Sequence, residues 1–426
     1  MRERAGDRAD LESLLRRRPG GAEVISVFWR VTLPFLAGYF VSYVYRSINA
    51  IIGPDLARDY GLSAAGLGLL SGIYFFAFAL FQLPLGVLLD RYGPRKVNAS
   101  LLLVAACGGL WFSLAGTAGE LVLARALIGL GVSGCLMASF SAFALWYPPE
   151  RLATMNGIAF ASGMLGAIAV TVPLEVVLRA LSWREVFYGI VALNLAVSLV
   201  LYAVVPEKAA ARRGAPLGEQ LRGYAVLARD PAFWRLALCV GSSQLAAVSL
   251  ATLWVATWLR DVAGYSQAEV AQALLAFNVV MIAGYLGFGR AADGMTRSGR
   301  STLPLLAGGV TAAALCLGLL ALGVRAGALL LWCGFFGCAT AVVLSYSLFS
   351  RRYPKEMTGR VNSALNVCVF VGMFTGQWAV GLIINLWPQT AGGYAPEAYP
   401  WALGGLWLVQ VLGLAWLWRG RRLFQS

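Results

Sequence analysis

The side chains able to do chemistry are few. Histidine is absent from the 426 residues, which removes the commonest general base and metal ligand. All seven cysteines (Cys107, Cys135, Cys239, Cys316, Cys333, Cys338, Cys368) fall in apolar segments without metal-type spacing. They read as small packing residues. No G-x-x-x-x-G-K-[ST] occurs, so no phosphate-cradling loop drives the protein with ATP. No nucleophile, base or metal cluster stands out, an enzyme is not expected, and no cofactor or metal is called for. What remains is a handful of ionisable side chains inside long apolar runs, and a charge at bilayer depth is costly enough to face a cavity or a partner.

Foremost is Arg46, in Tyr43-Val-Tyr45-Arg46-Ser-Ile-Asn49 with Tyr39 one turn earlier. A guanidinium is a planar, permanently charged fork for a carboxylate or phosphate, and tyrosines beside it can orient a ligand. Arg46 can equally snorkel to an outer interface. Arg125, near the start of its run, can stabilise the outer end of that helix with Glu120. Glu175 is open between a proton site and an outer-surface cluster with Arg179, Arg184 and Glu185. Neutral candidates for a cavity wall are Tyr74, Gln82, Gln244, Trp254, Asn278, Tyr346, Asn366 and Gln377, and each serves as readily as a hydrogen bond between helices. As a set they make a polar, uncharged second-half wall, which lacks the carboxylates a small cation would want.

The elements that must position these residues are the runs themselves. The chain is 59% apolar and 13% charged, against about 25% charged for a soluble domain. A span of about 30 Å of hydrocarbon takes about 20 residues, and lipid cannot satisfy a free backbone amide, so each run reads as a helix. Runs cover 29–54, 65–88, 97–117, 121–146, 153–177, 184–205, 233–258, 268–291, 302–323, 327–350, 359–386 and 401–418. The expectation is an all-α membrane protein of twelve transmembrane helices in two six-helix bundles. The segments are 1–28 (a cytoplasmic segment), 29–205 (first bundle), 206–232 (central loop), 233–418 (second bundle) and 419–426 (tail).

The net charge of +14 would suit nucleic acid only if it lay on one exposed face, whereas the basic residues lie between apolar runs. Of 34 Lys and Arg, 27 fall in the two termini, the central loop and the loops on the same side, with twelve acids; seven fall opposite, with eight acids. The positive-inside rule then puts both termini in the cytoplasm, and a bacterial inner, or plasma, membrane is expected. The leading Leu11, Leu14, Leu15 and Arg16-Arg17-Arg18 read as a short amphipathic piece on the inner surface. The arginine pair could also open an export signal, but the run that follows is of full spanning length without a cleavage site.

Two loop signatures recur. Gly86-Val-Leu-Leu-Asp90 follows run 2 and Gly289-Arg-Ala-Ala-Asp293 follows run 8, both G-x-x-x-D. Tyr147-Pro-Pro-Glu150 with Asn156 follows run 4, and Tyr353-Pro-Lys-Glu356 with Asn362 follows run 10. The offsets are 203 (293 minus 90) and 206 (356 minus 150), so two unrelated signatures report nearly one repeat length. Repeats of this kind place the binding site of a transporter at their interface.

Gly86, Asp90, Arg91, Gly93, Arg95 and Lys96 resemble the 2–3 loop signature of the major facilitator superfamily, with Pro94 as an extra residue, and Arg125-Ala-Leu-Ile-Gly129-Leu-Gly131 resembles its helix 4 motif. The resemblance covers the whole chain. It implies alternating access, with Asp90, Arg91, Arg95 and Asp293 as gating candidates and Arg125, Glu120 and Glu175 as coupling candidates; a topology-setting basic loop is the plainer reading of the first set. The Tyr-x-x-Arg-x-x-Asn segment is similar to that of organic-anion symporters and organophosphate antiporters, in which such an arginine binds the anion. That implies transport of a small organic anion, a carboxylate or a phosphorylated metabolite, by a monomer. Proton-coupled members carry carboxylates where Tyr45 and Gly134 stand here, so a coupling ion, exchange and facilitated diffusion all stay open. Efflux of a lipophilic or cationic compound and a non-transporting nutrient sensor on the same fold are the alternatives.

Overall fold

The computed structural model describes residues 26–207, 226–354, 357–388 and 393–424. The amphipathic leading segment, most of the central loop and Glu356 of the second loop signature lie outside the described residues. Eleven described helices are long and apolar enough to cross a membrane. The twelfth, α1, is not among them and comes in three pieces: Phe28–Thr32, Leu33–Ser47 and Asn49–Tyr60. One helical stretch, Ala64–Leu114, is divided at Gly93 (φ 78°, ψ 160°) into α2 (64–92) and α3 (94–114). Only glycine adopts such a backbone without strain, and Pro94 follows as the first residue of α3, where its missing N–H costs nothing. The extra proline of the loop signature is thus a helix start.

The remaining helices are α4 (Ala118–Val132 and Cys135–Trp146), α5 (Pro149–Ala169 and Val172–Leu178) and α6 (Trp183–Val204). Then come α7 (Pro231–Ser249, a π-turn Leu250–Trp254, Val255–Asp261), α8 (Gln267–Arg297) and α9 (Leu303–Ala321). The chain ends with α10 (Ala328–Ala339, a 3-10 turn Thr340–Val343, Leu344–Arg352), α11 (Thr358–Ile384) and α12 (Ala398–Arg419). Large apolar side chains face outward, as in Leu330 at 77% exposed and Leu322 at 82%. Lipid, not water, is the solvent that tolerates such a surface.

The repeat is written into the backbone. Left-handed glycines pair off as Gly61 with Gly264 and Gly93 with Gly299, at the same two offsets as the loop signatures. The interruption of α1 at Ile48 corresponds to the π-turn ending at Trp254, and the break of α4 at Ser133–Gly134 to the 3-10 turn opening at Thr340. The two Tyr-Pro tyrosines do the same work in each half. Tyr147 shares a 2.7 Å hydrogen bond with Thr32 of α1, and Tyr353 donates to Asp230, the cap of α7, at 2.5 Å. Burial and the Asp230 carboxylate push the Tyr353 hydroxyl above its ordinary pKa, which keeps it a donor.

Helices α4, α6 and α8 start on the face away from the chain termini, each with a hydroxyl cap and a glutamate: Thr117 with Glu120, Ser182 with Glu185, Ser266 with Glu269. The Ser182 and Ser266 caps are reciprocal, whereas Glu120 accepts from Gly116 N, and all three satisfy free amides of a helix start. The two halves meet towards this same face. Helix α2 presents Gly68 and Gly72 to α11, where an added Cβ at Gly72 would stand 3.1 Å from the Phe374 carbonyl and 3.2 Å from Gln377. Gly381 of α11 lies on the Ala64 backbone. Among the described residues the hydrogen bonds between halves, Ala65 N to Asn385 Oδ1 (3.4 Å) and Gln267 Nε2 to Ile51 O (3.0 Å), both lie there. Towards the face of the termini no described hydrogen bond or ion pair joins the halves.

Candidate functional site

Arg46 stands on α1 half a turn before the interruption at Ile48. Tyr39, Tyr43 and Arg46 recur at helical spacing on one stripe. The two tyrosine rings meet edge to face at 5.1 Å, and the Arg46 guanidinium carbon lies 4.5 Å from the Tyr43 centroid. Phe78 of α2 and Phe370 of α11 close the box at 5.6 Å each, stacked on each other at 4.2 Å. The stripe fits because α5 is glycine where it passes: a Cβ on Gly163 would stand 2.6 Å from the Tyr39 ring and 2.8 Å from that of Tyr43. The Tyr74 hydroxyl donates to the Ser42 carbonyl at 3.2 Å. The buried Arg46 Nε has no protein partner, so part of the fork is unspent.

Tyr43 and Arg46 line a cavity between the halves of about 800 Å³, its open mouth included. Its wall is drawn from α1, α5, α7, α8 and α11, and Arg46 is the one charged side chain on it. Of the other candidates from sequence, Gln244 and Asn278 also line it. Tyr346, 39% exposed, bonds Asn366 Oδ1 at 3.2 Å towards the face of the termini.

The remaining neutral candidates are built into helix contacts off this wall. Asn49 donates to Ser71 Oγ (2.9 Å) and Gln82 to the Ser133 carbonyl (3.2 Å). Trp254 donates to the Gln377 carbonyl (3.0 Å), and Gln377 to Thr252 Oγ1 (2.6 Å). Tyr39 and Tyr74 are buried behind the lining residues. Sequence reasoning did not single out Ser47, Thr171, Tyr285, Phe277 or the methionines Met164, Met281 and Met373, all on the wall. In helices apolar on every side, cavity-facing and lipid-facing residues carry the same signal.

Arg125 is not paired with Glu120, whose carboxylate accepts from Gly116 N at 2.7 Å as part of the helix cap. Arg125 is 1% exposed, 5.1 Å from the Tyr74 centroid, with Nε and Nη1 unpartnered. Glu175 holds Arg179 through two bonds of 3.0 and 2.9 Å, whereas Arg184 turns to Tyr60 and Asp59 and Glu185 caps α6. The expected cluster of four is thus three separate arrangements.

At the 2–3 loop, Arg95 donates to the Tyr202 carbonyl at 3.0 Å, and Lys96 pairs with Glu207. Beside Lys96 and Arg95, the Glu207 carboxyl sits below its usual range. Arg91 lies over the Tyr92 ring. Asp90 and Asp293 are exposed, without an ion pair among the described residues. No group of three or more His, Cys, Asp or Glu suited to a metal occurs among the described residues.

The comparisons with known proteins agree on the fold. A probable sulfoacetate transporter of Cupriavidus necator is 31% identical over 39% of this chain and 38% of its own length. A probable galactarate/D-glucarate transporter of Escherichia coli is 27% identical over 42% of this chain and 41% of its own. This chain thus matches less than half the length of these relatives. A crystal structure of a bacterial homologue of the human lysosomal transporter Spinster, inward-facing and unoccupied, superposes with a TM-score of 0.77 at 19% identity, covering 92% of this chain and 97% of that one. The family model described as Major Facilitator Superfamily matches residues 35–377, and with its twelve helices in two repeated halves this multi-pass membrane protein belongs to the Major Facilitator Superfamily.

Proposed function

We propose that the protein is a secondary transporter of a small organic anion, held by Arg46 in the cavity between the halves. The observation that carries this reading is that Arg46, the one charged side chain on the wall, has no ion-pair partner among the described residues. Desolvating a cation without a counter-charge is costly, and an anionic ligand supplies that charge. The sulfoacetate and glucarate named for the two relatives are organic anions, which agrees with this site in the sign of the charge, although each carries two negative groups.

Alternating access follows from the contacts between halves. With the termini and the 2–3 loop in the cytoplasm of a bacterial cell, the glycine seam of α2 and α11 shuts the outer side and the cavity opens inward. Asp90, free of partners in this state, clasps a neighbouring helix end when the inner side closes. The wall holds no carboxylate, so protons are not carried by an acid beside the substrate. The protein works as a monomer.

Efflux of a lipophilic compound is the second reading, favoured by the three methionines on the wall, a residue type common at adaptable surfaces. A thermal-shift screen of purified protein against carboxylates, phosphate esters, amines and lipophilic drugs separates the two. Stabilisation by anions that is lost in Arg46→Ala is expected; stabilisation by amines or neutral drugs alone would favour efflux.

A further inference from the structure

We infer that the anion taken by this site carries a single negative charge on an apolar body, as in an aliphatic or aromatic monocarboxylate. It is not a dianion or a polyhydroxylated acid. The inference rests on the anion reading above and narrows it through three features of the wall.

The first is charge. Arg46 is the one cation that a ligand in the cavity meets. Arg125 lies behind the Tyr74 ring and off the wall, buried to 1% exposure. One carboxylate matches one guanidinium, whereas a second would be desolvated without a partner.

The second is how the polar groups of the wall are engaged. Thr252 donates to the Val248 carbonyl at 2.7 Å and accepts from Gln377 at 2.6 Å. Thr171 donates to the Ile168 carbonyl at 2.6 Å, and Asn278 to the Leu274 carbonyl at 2.8 Å. These residues look polar in the sequence, yet the two threonines give their hydrogens to their own helices, and Asn278 gives one of its two. Tyr43, Ser47, Gln244 and Tyr285 are the other polar, uncharged side chains on the wall, too few to meet both the donor and the acceptor of each of the four or five hydroxyls of a sugar acid, and each unmatched hydroxyl weakens binding by about tenfold.

The third is the apolar surface. Met164 of α5, Met281 and Phe277 of α8, and Met373 of α11 line the cavity with Leu274 and Val248. Thioether side chains are polarisable and adapt to irregular or flat apolar shapes. They give an apolar body contact area opposite the single charged anchor.

The test uses the purified full chain in detergent and five probes: hexanoate, benzoate, adipate, gluconate and tetraphenylphosphonium. Thermal-shift titrations give an apparent Kd for each, with wild type and Arg46→Ala compared. Hexanoate or benzoate is expected to bind at least tenfold more tightly than adipate and gluconate, and to lose that binding in Arg46→Ala. If adipate or gluconate binds as tightly as the monocarboxylates and Arg46→Ala removes it, the anion reading stands and this narrowing of it is wrong. If no anion binds, or binding survives Arg46→Ala, both fall, and binding of tetraphenylphosphonium alone would assign the cavity to cations. A further readout isolates the wall: Met281→Gln should narrow the preference for hexanoate over gluconate and leave the discrimination against adipate in place.

Discussion

The Arg46 guanidinium carbon lies 4.5 Å from the centroid of the Tyr43 ring, and both side chains face the same cavity. The ring thus holds the cation in place without neutralising it. Cation–π contacts of this kind contribute about 0.5–2 kcal/mol. Tyr43→Leu should therefore weaken anion binding by roughly 2- to 30-fold, and Tyr43→Phe, which keeps the ring, should lie closer to wild type. Titration of both variants with the anion found by thermal shift checks this.

The tyrosine stripe depends on the bare backbone of α5. A side chain at Gly163 would drive into the Tyr39 and Tyr43 rings, and overpacking of this kind costs about 1–3 kcal/mol. Gly163→Val is expected to reduce anion affinity by about tenfold or more while folded protein is still recovered. Wild-type affinity in that variant would show that the stripe does not position Arg46.

Asp90 is exposed beside a loop in which Arg95 and Lys96 are engaged with α6 and Glu207. Its carboxylate is free in this state to pair in the other. Asp90→Asn should slow transport in proteoliposomes several-fold and leave anion binding in detergent and folded yield near wild type. Unchanged transport kinetics would remove the gate.

The sidedness of the fold is checked by labelling with a membrane-impermeant maleimide, against a wild-type background. Tyr92→Cys, on the 2–3 loop, should label only from the cytoplasm, and Ala326→Cys, between α9 and α10, only from outside. The sequence also marks Thr390 and Gly393 as outer sites and Ala211 as an inner one. Thr390 and Ala211 lie outside the described residues, and Gly393 is packed against Asp261, so exposed Ala326 is the better probe.

Most of the architecture was readable before any coordinate, because run length and paired loop signatures are long-range properties of the sequence that packing does not alter. Gly86 to Asp90 and Gly289 to Asp293 reported a repeat that the left-handed glycines Gly93 and Gly299 repeat in the backbone. Arg46 with Tyr43 was readable for the same reason as any buried charge: hydrocarbon makes it conspicuous. The rest of the wall was not. Asn49 turns to Ser71 and Gln377 to Thr252, which residue type cannot distinguish from ligand contact. Glu120 looked like a partner for Arg125, yet its place three residues after Thr117 makes it a cap. Met281 and Tyr285 went unnoticed because nothing in an apolar helix marks the side that faces a cavity.

The central claim is that Arg46 binds the negative charge of the substrate through its planar fork. The most direct measurement is equilibrium binding of the anion to wild type, Arg46→Lys and Arg46→Ala, each shown to be folded. Lysine keeps the charge and loses the fork, so Arg46→Lys should bind at least tenfold more weakly, and Arg46→Ala should lose roughly 100-fold or more because the ligand charge is left unmatched. Wild-type affinity in Arg46→Lys, or a ligand that proves to be a cation, would contradict the account.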